Sequence, residues 1–226
     1  MYKKKKYLAV ILARGGSKRL PGKNLKKING KPLIAYTILP ALNCQYLDEI
    51  IVSSDNKNIL EVSKKYGAKI LKRPKNLASD KAKSSEALRH AIQNTSTFDY
   101  VVLLQPTSPL RNENHIYDAI NLLEKKNADA IISVCKSEHN PTWCNILPKN
   151  FSMKGFLRKN TLNKRSQDIK NYYRLNGALY ICKINCFLKE RSFFLKNNTY
   201  AFEMPIEDSI DIDTEFDFKI AKALIK

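Results

Sequence analysis

Two short segments of this chain combine residue types that can do chemistry. The first, Ala13-Arg14-Gly15-Gly16-Ser17-Lys18-Arg19-Leu20-Pro21-Gly22-Lys23-Asn24, places four basic residues and paired glycines directly after an apolar run. Adjacent glycines let backbone approach a ligand closely, and Arg14, Lys18, Arg19 and Lys23 can surround a polyphosphate with charge-assisted hydrogen bonds. A nucleoside triphosphate is the natural guest. The segment is not a P-loop, because Asn24 stands where that motif needs Ser or Thr, and it contains no G-x-G-x-x-G. The competing reading is a basic turn whose glycines serve geometry alone. The second segment is Asp211-Ile212-Asp213. In extended backbone its two carboxylates project to one side, where hard oxygen ligands can hold magnesium beside phosphates. It also reads as an acidic cluster at the start of the final helix, with Asp213 as N-cap of a helix beginning at Thr214. Both readings can hold, with Asp211 the better ligand.

These segments must be positioned by a frame, and the hydrophobic pattern supplies one. Apolar runs of strand length alternate with helix-period stretches through the first two-thirds of the chain, the signature of parallel strands joined by crossover helices. The expected fold class is α/β. Strands are expected at 7–12, 50–53, 69–71, 100–104 and 130–134, and helices at 57–66, 84–93 and 113–125. Pro32 is expected to open a helix running to Ala41. The basic segment then lies at the carboxyl end of the first strand, where open α/β sheets place their ligand crevice. The run at 100–104 suits a strand buried on both faces, and the two prolines between Gln105 and Arg111 forbid regular structure after it. Beyond Pro141 the periodicity weakens until a pattern at 172–182 and an amphipathic helix from Thr214.

Composition narrows the class of protein. With 226 residues, 43% hydrophobic, 27% charged, and only 7 Gly and 9 Pro, the chain can bury a sizeable core, which excludes disordered, collagenous and low-complexity classes. The formal charge of +19 permits an anionic partner: nucleic acid, a membrane surface or a phosphorylated small molecule. Its lysines are spread along the chain, and Lys3 to Lys6 reads as a solvated tail. Five cysteines without C-x-x-C spacing indicate neither a disulfide framework nor a zinc site. No apolar segment approaches the ~20 residues of a membrane span, so the expectation is a cytoplasmic protein with neither membrane nor nucleic acid as partner. His90, His115 and His139 form no catalytic constellation.

The basic loop, Gly30-Lys31-Pro32-Leu33, Arg73-Pro74, Leu77-Ala78-Ser79-Asp80, Gln105-Pro106-Thr107-Ser108-Pro109-Leu110-Arg111, Asn176-Gly177-Ala178-Leu179-Tyr180 and Ser209-Ile210-Asp211-Ile212-Asp213 together resemble the CMP-sialic acid synthetases, or acylneuraminate cytidylyltransferases, in family order over nearly the whole chain. The resemblance implies a Rossmann-like nucleotidyltransferase fold with a mainly parallel sheet flanked by helices. It implies one domain over 1–226, in which about 136–200 elaborates the sugar pocket and dimerisation. The implied reaction is attack by the anomeric hydroxyl of a nonulosonic acid, N-acetylneuraminic acid first, on the α-phosphate of CTP, with Mg2+ as cofactor.

By the same resemblance, Arg14, Lys18 and Lys23 would hold the triphosphate, with Asp211 catalytic and Asp211 and Asp213 on the metal. Asn24, Arg73 and Ser84 would contact cytidine, while Gln105, Asn176 and Tyr180 would line the sugar site. Arg191-Ser192-Phe193-Phe194 resembles an arm that carries paired aromatics to a partner subunit, which implies a homodimer; equally, Phe193 and Phe194 can pack within their own subunit. Arg165 and Arg174 are candidates to pair with the sugar carboxylate, since guanidinium binds it bidentately. Trp143 stands where some sialate-specific members carry lysine, which leaves CMP-legionaminic synthesis open. The sister CMP-Kdo synthetases usually have proline at the position of Asn24. A basic nucleic-acid-binding protein is the alternative of another class.

Overall fold

The structure, a computed structural model, describes residues 1–157 and 170–225. Strand β1 (Tyr7–Leu12) is buried along almost its whole length and leads into the basic segment. A hairpin of β2 (Lys27–Ile28) and β3 (Lys31–Pro32) follows, turning through Asn29 and Gly30, both at positive φ. Asn-Gly is the residue pair that such a two-residue turn selects. The expected helix from Pro32 is therefore corrected: Pro32 closes the hairpin, and helix α1 (Ala35–Asn43) begins three residues later. Its first-turn position was plausible on φ alone, but an edge strand accepts proline equally well.

The next elements run β4 (Glu49–Ser54), α2 (Lys57–Lys65), β5 (Lys69–Lys72), α3 (Ser84–Gln93), β6 (Tyr100–Leu104), α4 (Glu113–Lys126) and β7 (Ala130–Lys136). They are the expected strands and helices to within two residues. The remainder comprises β8 (Tyr173–Lys183), α5 (Ile184–Glu190), β9 (Thr199–Glu203) and α6 (Glu215–Leu224). Helix α5 and strand β9 lay outside the sequence expectations. Both are short, and β9 is half exposed at a sheet edge, so neither carries a full hydrophobic period.

The seven strands are ordered β5-β4-β1-β6-β8-β7-β9, and every neighbouring pair is parallel except the two that β8 makes. This is the expected mainly parallel α/β sheet. Alternation in β1 and β6 divides the core. Tyr7, Ala9, Ile11, Val102 and Leu104 face Ile38 of α1 and Ile116 and Ile120 of α4. Leu8, Val10, Val101 and Leu103 face Leu88 and Ile92 of α3 and Phe187 of α5. The chain leaves β1 toward β4 on one side and later returns to β6 on the other. That reversal opens a crevice at the carboxyl end of β1.

Candidate active site

The crevice is a cavity of about 650 Å³ whose lining includes Arg14, Lys18, Arg19, Lys23, Arg73 and Asp211. Asn24, Ser84, Gln105, Thr107 and Asp213 also reach it. Four separate stretches of chain thus meet there: the loop after β1, the segment from the end of β5 into α3, the loop after β6 and the segment before α6. Backbone bonds lock the first, third and last together. The Ile212 amide donates to the Thr107 carbonyl at 2.8 Å, and the Lys23 ammonium donates to the Ile212 carbonyl at 2.8 Å.

The four loop cations are held by two carboxylates. Asp80 accepts from Arg14 at 2.9 Å and Lys18 at 2.7 Å, while Asp213 accepts from Arg19 at 2.8 Å and Lys23 at 3.1 Å. Lys18, then Arg14, hold the Asp80 carboxyl below the ordinary carboxylate range. Such exposed pairs are worth little individually, so a polyanion with several charges can take over the cations. Asp80 belongs to a matched motif, but its pairing joins residues 66 apart and has no trace in spacing.

Asn24 and Arg73 are buried against the same cavity. The Asn24 amide donates to the Arg14 carbonyl at 3.1 Å, and the Arg73 guanidinium donates to the Ser53 carbonyl at 3.2 Å. Asn24 Oδ1 and Arg73 Nε are buried with no partner within the described residues. Unpaired buried polar atoms on a cavity wall suit a ligand that completes them. Burial also lowers the Arg73 pKa, with Asp55 opposing. Ser84, at the first position of α3, is exposed to the cavity.

Asp211 is half-buried, and its Oδ1 has no hydrogen-bond partner among the described residues. Burial pushes its carboxyl above the usual range, against the pull of Thr107. Gly177 lies beside it at φ +74°, where a Cβ would meet Gln105 Oε1 at 3.0 Å and Asp211 Oδ2 at 3.6 Å. Glycine suits this positive φ and leaves room for the close approach of Gln105, while the Asp211 distance is an ordinary contact. As a metal test the donors fit in type: two hard carboxylates, one with an unpaired buried oxygen. They fall short of a full shell, since no group of three acidic, His or Cys ligands occurs among the described residues, so phosphate and water would supply the rest. The N-cap expectation is corrected by one residue. Thr214 caps α6 in a capping box with Asp217, because its hydroxyl reaches the Asp217 amide while the Asp217 carboxylate accepts from the Thr214 amide.

A second cavity of about 190 Å³ adjoins the first and shares Ser84, Leu103 and Gln105 with it. Tyr180 and Phe193 line it, their rings 5.2 Å apart, and Phe193 also packs on Phe187 at 5.2 Å. The aromatic pair is thereby split: Phe193 packs within its own subunit, and Phe194 is 59% exposed.

Two further expectations are corrected by what the side chains touch. Asn176 faces inward, not into either cavity. Its Oδ1 accepts from Ser133 at 2.6 Å and its amide donates to Ser209 at 2.9 Å, so it ties β8 to β7 and to the segment before Asp211. Arg174 grips the Glu138 carboxylate through two nitrogens and reaches the Ser209 carbonyl at 3.3 Å. This pairing holds the Glu138 carboxyl below its ordinary range, and Arg174 lines neither cavity. Arg165 lies outside the described residues. Arg111 is a residue whose part the motif did not disclose: fully buried, it donates to the Gln105 carbonyl at 3.1 Å and the Ala178 carbonyl at 2.7 Å, joining the end of β6 to the middle of β8. Burial pushes its pKa down to about 9.

The cytidylyltransferase family pattern matches residues 8–224. A CMP-N,N'-diacetyllegionaminic acid synthase of Legionella pneumophila is 37% identical over 97% of this chain and 96% of its own. An N-acylneuraminate cytidylyltransferase of Escherichia coli is 35% identical over 96% of this chain and 51% of its own. Among solved structures, a CMP:2-keto-3-deoxy-manno-octonic acid synthetase complexed with CTP shares the fold at TM-score 0.73 and 19% identity, covering 97% of this chain and 98% of its own.

Proposed function

Because this chain belongs to the cytidylyltransferase family, we propose that it transfers CMP from CTP to the anomeric hydroxyl of a nonulosonic acid, releasing pyrophosphate. The observation that carries this reading is the pair of joined cavities, one ringed by cations at the switch point of the sheet and one lined by aromatics, meeting at Gln105 and Ser84. The anomeric oxygen attacks the α-phosphorus. The bond from that phosphorus to the oxygen bridging to the β-phosphate breaks, pyrophosphate leaves with the electron pair, and the hydroxyl proton passes to base or solvent. Negative charge gathers on the leaving group, so fixed cations at its position lower the barrier.

In this reading Arg14, Lys18 and Lys23 exchange Asp80 and Asp213 for the triphosphate. Asn24 and Arg73 complete their unpaired atoms on cytidine, beside Ser84, and Gln105 orients the sugar. Asp211, with Asp213, would hold Mg2+, which supplies charge neutralisation on the phosphates. Tyr180 and Phe193 suit the methyl of an N-acyl group, which favours an N-acylated acid over Kdo; we take N-acetylneuraminic acid as the first choice and legionaminic acid as the second. The product would serve surface-glycan synthesis such as capsule or lipopolysaccharide.

One domain carries this chemistry, and about 136–200 would pair two subunits. Ile146, Leu147, Phe151 and Met153 expose 50% or more of their surface on one stretch between β7 and β8, more apolar surface than isolated exposed residues present. No helix among the described residues is long and apolar enough to cross a membrane. A cytoplasmic location fits a reaction that consumes CTP.

The test is pyrophosphate release from CTP and Mg2+ with N-acetylneuraminic, legionaminic, pseudaminic or Kdo acid, beside a control without sugar. Release with one acid is expected. Folded protein that releases nothing above the control, yet binds duplex DNA with steep salt dependence, would replace this reading with the nucleic-acid alternative.

A further inference from the structure

We propose that Arg191 recognises the carboxylate of the acid sugar; the inference rests on the reaction proposed above. Among the described residues that line the smaller, aromatic cavity, Arg191 is the one with a formal charge. Of the two arginines expected to meet a sugar carboxylate, Arg174 lines neither cavity and pairs with Glu138, while Arg165 lies outside the described residues.

The backbone at Arg191 is a second, independent observation. Arg191 ends α5 in the left-handed conformation, at φ 53°, with its amide donating to the Phe187 carbonyl at 2.7 Å. Helix ends of this kind favour glycine, because a Cβ is crowded there. An arginine at such a position weakens the helix end, so a local fold argument does not account for it. Nor does its polar side-chain contact among the described residues, a 3.4 Å approach to Glu86, which Arg89 already meets at 3.1 Å. The guanidinium is more than half exposed and remains able to turn into the cavity.

Ligand chemistry fits the position. In a nonulosonic acid the carboxylate is bonded to the anomeric carbon itself, so whenever the anomeric hydroxyl faces the α-phosphate, the carboxylate lies at the same end of the sugar. That end sits where the cavities meet, at Gln105 and Ser84, both of which share the smaller cavity with Arg191. An uncompensated anion there would be set against Leu103, Phe187 and Phe193, and a planar guanidinium offers the two parallel donors a carboxylate accepts.

The decisive variants are Arg191→Gly, which relieves the backbone while removing the charge, and Arg191→Lys, which keeps a charge without the fork. With the acid that the wild-type protein turns over, Arg191→Gly is expected to raise the KM for the acid about tenfold or more, with KM for CTP within about twofold and a thermal midpoint no lower than wild type. Arg191→Lys should fall between. The C1 methyl ester of the same acid, tested as a competitor, should inhibit wild type and Arg191→Gly equally weakly. An unchanged acid KM in Arg191→Gly, KM values for acid and CTP that rise together, or a lower midpoint would each overturn the assignment while leaving the reaction standing. Wild-type protein that releases no pyrophosphate with any acid would overturn both.

Discussion

Asp211 is a single side chain whose burial sets its charge against the fold. Burial holds its carboxyl above the ordinary range. A carboxyl whose folded pKa is raised is favoured by the fold in its protonated form, so its ionisation near neutral pH works against stability, and the penalty fades as pH falls through the raised pKa. Asp211→Asn is therefore expected to melt at a higher temperature than wild type at pH 7, with the difference shrinking on acidification. The same variant should lose magnesium-dependent turnover by about a hundredfold or more, because a neutral amide is a poor ligand for a hard cation. Calorimetry across pH with steady-state kinetics checks both; a destabilised variant at pH 7 would refute the electrostatic account. The residue scale was partly legible. Arg14, Lys18, Lys23 and Asp211 could be chosen from type and spacing because a basic glycine loop and an Asp-x-Asp pair are local patterns. Asn176 could not be placed correctly, since the direction of its side chain depends on Ser133 and Ser209, in other parts of the chain.

At the scale of elements, the segment before α6 decides whether the two aspartates are held still. The capping box of Thr214 and Asp217 closes the helix end, and the Asp217 carboxylate also accepts from the Asp213 amide at 3.0 Å. Helix and aspartate segment are therefore fixed by one carboxylate. Thr214→Ala is expected to destabilise the protein by about 1 kcal/mol, read from the urea midpoint at constant slope. An unchanged midpoint would remove the cap from the account. Helices at 57–66, 84–93 and 113–125 were readable because each carries an apolar stripe at helical period. The hairpin through Asn29 and Gly30 was misread as a helix start, as proline fits both; the turn pair itself was the better signal. Strand β8 was visible as a pattern, but its antiparallel direction depends on how the chain returns from the stretch after β7, which no local residue records.

For the whole molecule, apolar residues are exposed between β7 and β8 among the described residues, and a second subunit is the cover proposed for them. The proposed homodimer supplies it, and sedimentation equilibrium is expected to give a mass twice that of a single chain. Ile146→Asp combined with Phe151→Asp should yield a folded monomer, since two buried charges without partners cost more than a modest interface returns. A monomeric wild-type protein would leave the exposed surface to another partner. The positive charge of +19 is resolved differently at this scale. Composition permitted any anionic partner, but four loop cations and Arg73 converge on one concave site, a geometry matched to a compact polyphosphate more than to an extended backbone.

The sequence by itself determined the α/β class, the placement of a basic loop at the end of the first strand and the family, because each depends on patterns of neighbours: period, spacing and ordered short motifs. Tertiary structure alone decided which partners those residues meet. It set Asp80 and Asp213 against the loop cations, turned Asn176 inward, committed Arg174 to Glu138, and divided Phe193 from Phe194. These outcomes join residues tens to hundreds of positions apart, and they follow from the order of strands in the sheet and from the need of each buried polar group for a partner. Neither is written in local sequence.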